Sequence, residues 1–292
     1  MSNHKNVNAL TAGGVLVSLG IVFGDIGTSP LYTLKAIFKI ANQSGQSFSS
    51  DLVLGALSCI IWTLTLQTTI KYVIITLRAD NKGEGGIFSL FSLVRKKAKW
   101  LVIPAIIGGA ALLADGMITP SITVTSAIEG LKLKFSTVPV IPIVISIIAL
   151  LFIIQQFGTN LVGKLFGPIM FIWFAVLGIT GFAQIIHDLS IFKALNPYYA
   201  IHLLVTNPGA LAILGGVFLC TTGAEALYSD LGHCGKQNIR VSWIFVKSML
   251  ILNYLGQGAW ILNNPNYDPH FVNPFFQLVP QNMVVYLVIL AT

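Results

Sequence analysis

GIVFGDIGTSPLY, residues 20–32, lies inside an apolar run that is long enough to cross a lipid bilayer. The stretch nevertheless contains an acid, Asp25, two glycines, Gly24 and Gly27, and a Thr-Ser-Pro triplet at residues 28–30. A helix that only anchors a protein in the membrane needs none of these residues. The stretch therefore predicts a membrane helix that is interrupted midway.

The triplet at residues 28–30 is a signal for the start of a helix. A serine or threonine side chain accepts a hydrogen bond from the first free amides, and proline fits the first turn because its missing N–H is not needed there. We therefore expect one helix to end near Phe23 and a second to begin near Pro30. Backbone carbonyls freed at such a break must be buried in protein or line a wet cavity. Transporters built from broken helices bind small ions at these places.

Composition places the chain among the helical membrane proteins. Of its 292 residues, 55% are hydrophobic and 9% are charged, and the mean hydropathy is +0.81. Soluble domains are about 25% charged, so we expect an all-α polytopic protein of the cell membrane. Basic residues in cytoplasmic loops can produce the formal charge of +7, which therefore does not indicate a nucleic acid partner. The three cysteines lack the spacing of a metal site, and no cofactor is expected.

Apolar runs of sufficient length occur at eight places along the chain, given that a helix needs about 20 residues to cross the bilayer. The first and the sixth of these spans contain a polar break. The eighth stops at Thr292 before it is long enough to cross, so we expect a sequence that is truncated within the eighth span. The spans run approximately 12–38, 52–76, 101–129, 138–156, 160–186, 209–231, 239–262 and 276–292.

The distribution of lysine and arginine predicts the orientation of these spans, because cytoplasmic loops carry an excess of both residues. With a cytoplasmic amino terminus, ten of the 17 basic residues lie in inner segments and five in outer segments, while Lys71 and Lys247 lie within spans. The bias favours a cytoplasmic amino terminus. The inner residues are Lys5, Arg78, Lys82, Arg95, Lys96, Lys97, Lys99, Lys164, Lys236 and Arg240, and the outer ones are Lys35, Lys39, Lys132, Lys134 and Lys193.

A short amphipathic helix is predicted between the second and third spans. Apolar residues between positions 87 and 94 fall on one face, and basic residues follow at 95–99, which is typical of a helix lying on the inner membrane surface. The preceding Gly-Glu-Gly-Gly at 83–86 has no strand before it and no GK[ST] after it. It therefore does not indicate a nucleotide site.

The third span is polar along one face. Asp115 lies midway along the run, and Thr119 and Thr123 follow at steps of four residues, which makes the three side chains neighbours on a helix. Pro120 cannot donate a backbone hydrogen bond and leaves the carbonyl of Gly116 without its helical partner. The third span therefore carries carboxylate, hydroxyl and carbonyl oxygens at membrane depth.

The sixth span repeats the pattern of the first. In GGVFLCTTGAEALY an apolar half is followed by Thr222, Gly223 and Glu225, so a break with glycine again adjoins an acid. Under the orientation above, the first and sixth spans enter the membrane from opposite sides, as expected for the leading helices of two inverted five-helix repeats. We expect the first repeat at about 12–186 and a partial second repeat at about 209–292. The two breaks would face each other near the midplane.

Three carboxylates, those of Asp25, Asp115 and Glu225, lie deep within apolar spans. An ionisable group at the bilayer centre costs at least about 2.5–3.5 kcal/mol, so its presence calls for a role. One interpretation is structural pairing with a lysine, for which Lys71 and Lys247 are the candidates. The other is transport, because oxygen ligands suit a hard monovalent cation and a buried carboxylate also binds a proton. Acids that serve both ions are the minimum requirement for symport.

These motifs resemble the KUP/HAK/KT family of potassium uptake permeases, which belongs to the amino acid, polyamine and organocation superfamily. The similarity is spread over most of the chain and is more specific than any single motif. The matching stretches are GIVFGDIGTSPLYTLKAIF at 20–38, NKGEGGIFSL at 81–90, ADGMITPSITVTSAIEGL at 114–131, TTGAEALYSDLGHCG at 221–235 and LNYLGQGAW at 252–260.

The resemblance implies a LeuT-like core of inverted repeats and proton-coupled potassium uptake, with potassium, a proton and the lipid bilayer as partners. Members of the family continue into two further spans and a cytosolic domain, which we expect to be absent from this sequence and through which a homodimer is conceivable. The helix breaks are expected at Gly24, Gly27, Pro30 and Gly223. The resemblance places potassium binding or proton coupling on Asp25, Tyr32, Asp115, Thr119, Thr123, Thr222 and Glu225.

Two other functions are compatible with this kind of scaffold. An amino acid permease would offer free amides of the first break to a substrate carboxylate, which Asp25 would repel. A passive potassium channel would be expected to carry a TVGYG filter, which the sequence lacks. Both alternatives therefore fit the acids less well than a proton-coupled symporter does. None of the motifs indicates an enzyme.

Overall fold

The computed structural model of the protein describes residues 9–43, 49–135, 137–155 and 159–291, with side chains outside 154–165. Within these ranges, five helices are long and apolar enough to cross a membrane, and a bent pair of helices adds a sixth candidate. Elements in these ranges are helical apart from loops and a single bridge in one loop. The prediction of an all-α polytopic membrane protein is confirmed.

The first span consists of three helices. Helix α1 covers Ala12–Val22, α2 covers Gly24–Thr28 and α3 covers Thr33–Gln43, and a 3₁₀ turn at Ser29–Leu31 connects α2 to α3. The axis bends by 69° between α1 and the segment that follows Phe23. We call residues 23–32 the first break.

The next four spans each contain one main helix. The second span continues beyond its α-helix as a π-helix, Leu64–Ile75, which the sequence did not predict. The short surface helix predicted between the second and third spans is present as α5. The bounds are Ser50–Thr63 for α4, Ile87–Val94 for α5, Val102–Glu129 for α6, Val140–Gln155 for α7 and Thr159–Ile185 for α8.

Helix α9 follows α8 in the chain and lies outside the predicted spans. The sixth span follows, with its first half in α10 and its second half in the short helices α11 and α12. The seventh and eighth spans contain α13 and α14. The bounds are Pro197–Thr206 for α9, Ala210–Phe218 for α10, Ala226–Ser229 for α11, Leu231–Cys234 for α12, Lys236–Leu262 for α13 and Val284–Ala291 for α14.

Polar residues fix where several helices begin. The hydroxyl of Thr11 accepts a hydrogen bond from the backbone N–H of Gly14 at the start of α1, and Ser49 caps α4 in the same way. Asn196 caps α9, whose first residue is Pro197. Each cap satisfies an amide that the first turn of a helix leaves without a partner.

The first break begins where the sequence predicts it, but its continuation differs. Helix α1 ends at Val22, next to the predicted end at Phe23. The second helix does not start at Pro30 as predicted, because the short helix α2 already begins at Gly24 and the long helix begins only at Thr33. Pro30 lies in the 3₁₀ turn between them, at a position where its missing N–H removes no helical hydrogen bond.

The two halves of the first and sixth spans pack crosswise. Helix α3, the second half of the first span, packs against α10, the first half of the sixth. Helix α1 in turn packs against α12. Two spans that run in opposite directions, as the sequence predicts, would pack in this way. The assignment of two inverted five-helix repeats stays a prediction.

Helix α8 packs along both α1 and α13. Glycine allows the closest approach between α8 and α13. A Cβ atom on Gly181 would lie 2.6 Å from the Cα atom of Asn253, and one on Gly256 would meet the backbone of Gly181. The Asn253 side chain also donates a hydrogen bond to the carbonyl of Leu177, 3.1 Å away. Small residues and a polar link therefore join these helices, as is common in membranes.

Some predictions fall on parts of the chain that the structure does not describe. Lys5, the side chain of Lys164 and the end of the fourth span at residue 156 lie outside the described residues. The orientation of the amino terminus, which depends on the distribution of basic residues, stays a prediction.

Candidate ion-binding site

Side chains from distant parts of the chain hold the carbonyl groups of the first break. Each of the three donors comes from a different element, namely α8, α13 and the loop before α14. The break is therefore buried in protein, which is one of the two conditions under which such backbone is stable in a membrane. The bonds are Trp173 Nε1 to the Gly27 carbonyl at 2.8 Å, Gln257 Nε2 to that of Pro30 at 3.1 Å and Asn273 Nδ2 to that of Leu31 at 2.7 Å.

Hydroxyl groups of the Thr-Ser-Pro triplet satisfy further carbonyls within the first break itself. The hydroxyl of Thr28 donates to the carbonyl of Asp25 at 2.9 Å, and that of Ser29 donates to Ile26 at 2.8 Å. The triplet thus stabilises the turn that precedes it, whereas the sequence suggested a cap for the helix that follows it. Thr33, the first residue of the long helix, donates its hydroxyl hydrogen to the carbonyl of Ser29 at 2.8 Å.

The sixth break, residues 222–225, is a run of turn residues between α11 and the 3₁₀ turn Leu219–Thr221 that follows α10. Its backbone turns at Thr222, with φ −55° and ψ 131°, and at Gly223, with φ +83°. A positive φ is readily adopted only by glycine. Local turn bonds connect the two sides, from the N–H of Ala224 to the carbonyl of Thr221 and from Ala226 to Gly223. The backbone therefore leaves helical geometry at Gly223, one of the positions where a break is predicted.

The two breaks lie against each other. A Cβ atom on Gly223 would collide with the Cβ atom of Asp25 and would lie 2.9 Å from the backbone nitrogen of Ile26. The side chain of Tyr32, which is buried, is a neighbour of that of Thr222. Residues predicted from separate motifs, almost 200 positions apart, are thus brought to one place.

Helix α6 lines this place with its polar face. The hydroxyl of Thr119 donates a hydrogen bond of 2.9 Å to Oδ1 of Asp115. The hydroxyl of Thr123 lies 3.3 Å from that of Thr28 in the first break. Both Thr119 and Thr123 are buried. The predicted row of oxygen-bearing side chains is present, and one end of it contacts the first break.

The three acids of the apolar spans also lie in the same region. The carboxyl groups of Asp115 and Glu225 line the same cavity, and Asp25 is near enough to interact electrostatically with both. Two carboxyl groups can form a hydrogen bond only if one of them carries a proton, because two carboxylates repel each other and neither has a hydrogen to donate. A hydrogen bond between these two acids would therefore require a proton between α6 and the sixth break.

Structural pairing with lysine does not explain these acids. In the parts of the chain that the structure describes, the ion pair formed is that of Lys35 with Glu129, at 3.3 Å. Neither Lys71 nor Lys247 pairs with an acid there. The same parts contain no group of three histidine, cysteine, aspartate or glutamate side chains close enough to hold a metal ion.

A cavity of about 550 Å³ reaches the site from the side of α5. Asp115 and Glu225 line it, together with Lys71 and Tyr72 from the second span. The Asp25 side chain is exposed but does not contribute to the described wall of this cavity. Water and small ions can therefore reach two of the three acids from this side.

The sequence did not identify the donors that hold the first break. Gln257 offered a signal, because it is a polar residue in an apolar span, four positions after another, Asn253. Asn273 offered a weaker one, since it precedes a proline as a cap would. Trp173 offered none, because tryptophan is common in apolar spans for other reasons.

Comparison with known proteins identifies the family to which the chain is similar. Residues 12–292 match the family described as K+ potassium transporter integral membrane domain. The probable potassium transport system protein Kup of Cytophaga hutchinsonii is 61% identical to the chain over 295 residues, which cover 99% of this chain and 44% of that protein. The corresponding protein of Flavobacterium johnsoniae is 54% identical over 301 residues, 100% of this chain and 45% of its own length.

A third relative, the probable potassium transport system protein Kup 1 of Lactococcus lactis subsp. lactis, is 56% identical over 301 residues, 99% of this chain and 45% of its own length. The chain thus spans less than half the length of these curated relatives. No solved structure matches it. The match extends over nearly the whole chain and includes both breaks and the polar face of α6. The chain belongs to the family of K+ potassium transporter integral membrane domains, which are transporters and not enzymes.

Proposed function

We propose that the protein takes up potassium across the cell membrane by symport with protons. The ion would bind near the midplane, between the first break, the sixth break and α6. The observation that carries the proposal is the contact of Asp25 with Gly223 of the sixth break, whose Glu225 shares a cavity with Asp115. The printed names of the relatives, which are potassium transport system proteins, support the choice of ion.

The ligands fit potassium because oxygen atoms of several kinds surround one place. A hard monovalent cation loses its water most easily to carboxylate, hydroxyl and carbonyl oxygens. Many carbonyls of the first break already accept hydrogen bonds from side chains, so side-chain oxygens are the main ligands in this proposal. The proposed set is Asp25, Tyr32, Asp115, Thr119, Thr123, Thr222 and Glu225.

The coupling to protons follows from the number of acids. Moving a site with three carboxylates across a low-dielectric region is costly unless positive charge accompanies it. One potassium ion and one proton together compensate more of this charge than either ion alone. A proton shared between Asp115 and Glu225 leaves Asp25 and the hydroxyl groups for the cation. The fully loaded site is therefore the form that crosses the membrane most readily, and this makes the transport a symport.

The direction of the cavity completes the proposal. With the amino terminus in the cytoplasm, α5 and the basic residues at 95–99 lie on the inner side. The cavity that reaches Asp115 and Glu225 from the side of α5 would then open toward the cytoplasm. In this arrangement the potassium ion and the proton leave the site on the side to which uptake delivers them.

Replacement of Glu225 by glutamine tests the proposal. The amide keeps the shape of the side chain but can neither take up nor release the proton. In proteoliposomes that contain the full-length protein, we expect Glu225→Gln to lower the uptake of rubidium, used in place of potassium, at least about tenfold, equivalent to about 1.4 kcal/mol. The remaining uptake should no longer rise when the outside is made acidic.

Asp51→Asn is the matched control, since Asp51 is an exposed acid at the start of α4. It should leave rubidium uptake and its stimulation by acid unchanged. Acid-stimulated uptake by Glu225→Gln at the level of the unchanged protein would contradict the proposed role of this acid. The same vesicles supplied with labelled amino acids would reveal an amino acid permease.

A further inference from the structure

Lys71 is the one basic side chain among the described residues that line the cavity of Asp115 and Glu225. Its ammonium group does not pair with either acid. It lies over the ring of Tyr72, 4.9 Å from the ring centre, and the side chain is exposed. A cation thus shares an aqueous cavity with two carboxyl groups without forming an ion pair with them.

The contact between Lys71 and the ring of Tyr72 is weak enough to be exchanged. A cation over an aromatic ring at an exposed position gains about 0.5–1 kcal/mol. A carboxylate attracts an ammonium group more strongly than a ring does, and the more so where protein walls exclude part of the water. Tyr72 and Glu225 line the same cavity, so the ring on which the ammonium rests faces the space that the acid also faces. The flexible four-carbon stem of lysine permits the change of partner.

We propose that Lys71 is a tethered counter-cation for the empty site. When potassium has left, the ammonium group moves from the ring of Tyr72 to the carboxylates of Asp115 and Glu225. When potassium returns, it displaces the ammonium group, which goes back to the ring. The inference rests on the proposed function, because it assigns Lys71 a task in the transport cycle of that same site.

The tethered cation matters in one part of the cycle only. Net uptake requires the empty carrier to return across the membrane, and an empty site exposes its carboxylates without their ions. Uncompensated charge in that environment is strongly disfavoured. Exchange of one ion for another requires no such step, because the carrier returns loaded. Loss of the ammonium group should therefore slow net uptake and spare exchange.

The experiment compares these two modes in proteoliposomes with the full-length protein. Net uptake is the entry of labelled rubidium into potassium-free vesicles, and exchange is its entry into vesicles with equal unlabelled potassium on both sides. We expect Lys71→Met to lower net uptake about 5- to 150-fold, the usual range for coupled binding events, with exchange within about twofold of the unchanged protein. Lys71→Arg, which keeps the charge, should restore most of the net uptake.

Lys39→Met serves as the control, because Lys39 is an exposed lysine on α3 outside the cavity. It should change neither mode. Equal losses of both modes in Lys71→Met, or no loss in either, would overturn the role of Lys71. Absence of rubidium uptake by the unchanged protein would instead overturn the proposed function, so the two failures can be told apart.

Discussion

The first break and the sixth break meet at one site, yet different kinds of hydrogen bond stabilise them. In the first break, Trp173, Gln257 and Asn273 donate to backbone carbonyls from elements that are distant in the sequence. In the sixth break, the bonds described for its backbone join near neighbours, such as Ala224 to Thr221. The first break also bends its helix by 69°, whereas the sixth lies within a single candidate span, Ala210–Ser229.

From this difference we expect the first break to be the rigidly held side of the proposed site, which we call the fixed wall. Breaking a buried hydrogen bond so that a carbonyl is left unpaired costs about 1–3 kcal/mol, and three such bonds attach the first break to its surroundings. The sixth break depends on its local turns and on the conformational freedom of Gly223. Changes to the sixth break should therefore alter function most, and changes to the donors of the first break should alter stability most.

The largest effect is expected from Gly223→Ala. The added methyl group would collide with Asp25 and would impose a side chain on a backbone with φ +83°. Each of these changes costs of the order of 1–3 kcal/mol. We expect the breaks to separate and rubidium uptake to fall at least about tenfold, with the protein still inserted and folded, as measured by size-exclusion chromatography in detergent.

Gly215→Ala is the matched control for this prediction. Gly215 lies in α10 of the same span, and a methyl group there would have no neighbour within 4 Å. Uptake should be unchanged or slightly higher, because alanine favours a helix by up to about 1 kcal/mol relative to glycine. Normal uptake by Gly223→Ala would show that the sixth break tolerates a shift and that close contact with Asp25 is not required.

A smaller effect, and one on stability, is expected from Trp173→Phe. The change keeps an aromatic ring in a position that is 1% exposed, but it removes the N–H that donates to the carbonyl of Gly27. The unpaired carbonyl should lower the free energy of unfolding by about 1–3 kcal/mol. The midpoint of thermal unfolding in detergent should fall by several degrees, while rubidium uptake at low temperature is largely retained.

Trp100→Phe provides the comparison, because Trp100 is 69% exposed. Its unfolding temperature should match that of the unchanged protein. If Trp173→Phe unfolds at the same temperature as Trp100→Phe, the hydrogen bond to Gly27 does not stabilise the first break. Only two of the three hydrogen bonds from distant elements would then remain as evidence that the first break is the fixed wall.

The sequence predicted those parts of the site that a single span carries. Asp25, Asp115 and Glu225 were recognisable because charge is rare inside an apolar run, and Gly223 because glycine adjoins a break. The row of Asp115, Thr119 and Thr123 followed from helical spacing alone. These signals are local, so reading one span at a time was sufficient to find them.

The parts of the site that depend on contacts between spans were not predicted. The donors Trp173 and Gln257 lie 146 and 227 residues from the carbonyls that they hold, and no spacing rule connects such positions. The π-helix Leu64–Ile75 was missed because its sequence is equally compatible with an α-helix. The π-helix places Lys71 and Tyr72 on the wall of the cavity. Their position relative to Glu225 therefore could not be predicted from the sequence either.

The smallest effect is expected from Thr123→Val, which tests how α6 contacts the fixed wall. Valine keeps the shape of the side chain but removes the hydroxyl that lies 3.3 Å from that of Thr28. A neutral hydrogen bond contributes about 0.5–1.5 kcal/mol, so the rubidium concentration at half-maximal uptake should rise about 2- to 10-fold, with the maximal rate little changed. Thr125→Val, two positions along α6 and hence on another face, should leave both values unaltered. A fall in maximal rate without a change in the half-maximal concentration would mean that Thr123 acts in the movement of the site and not in binding the ion, and α6 would then belong with the sixth break.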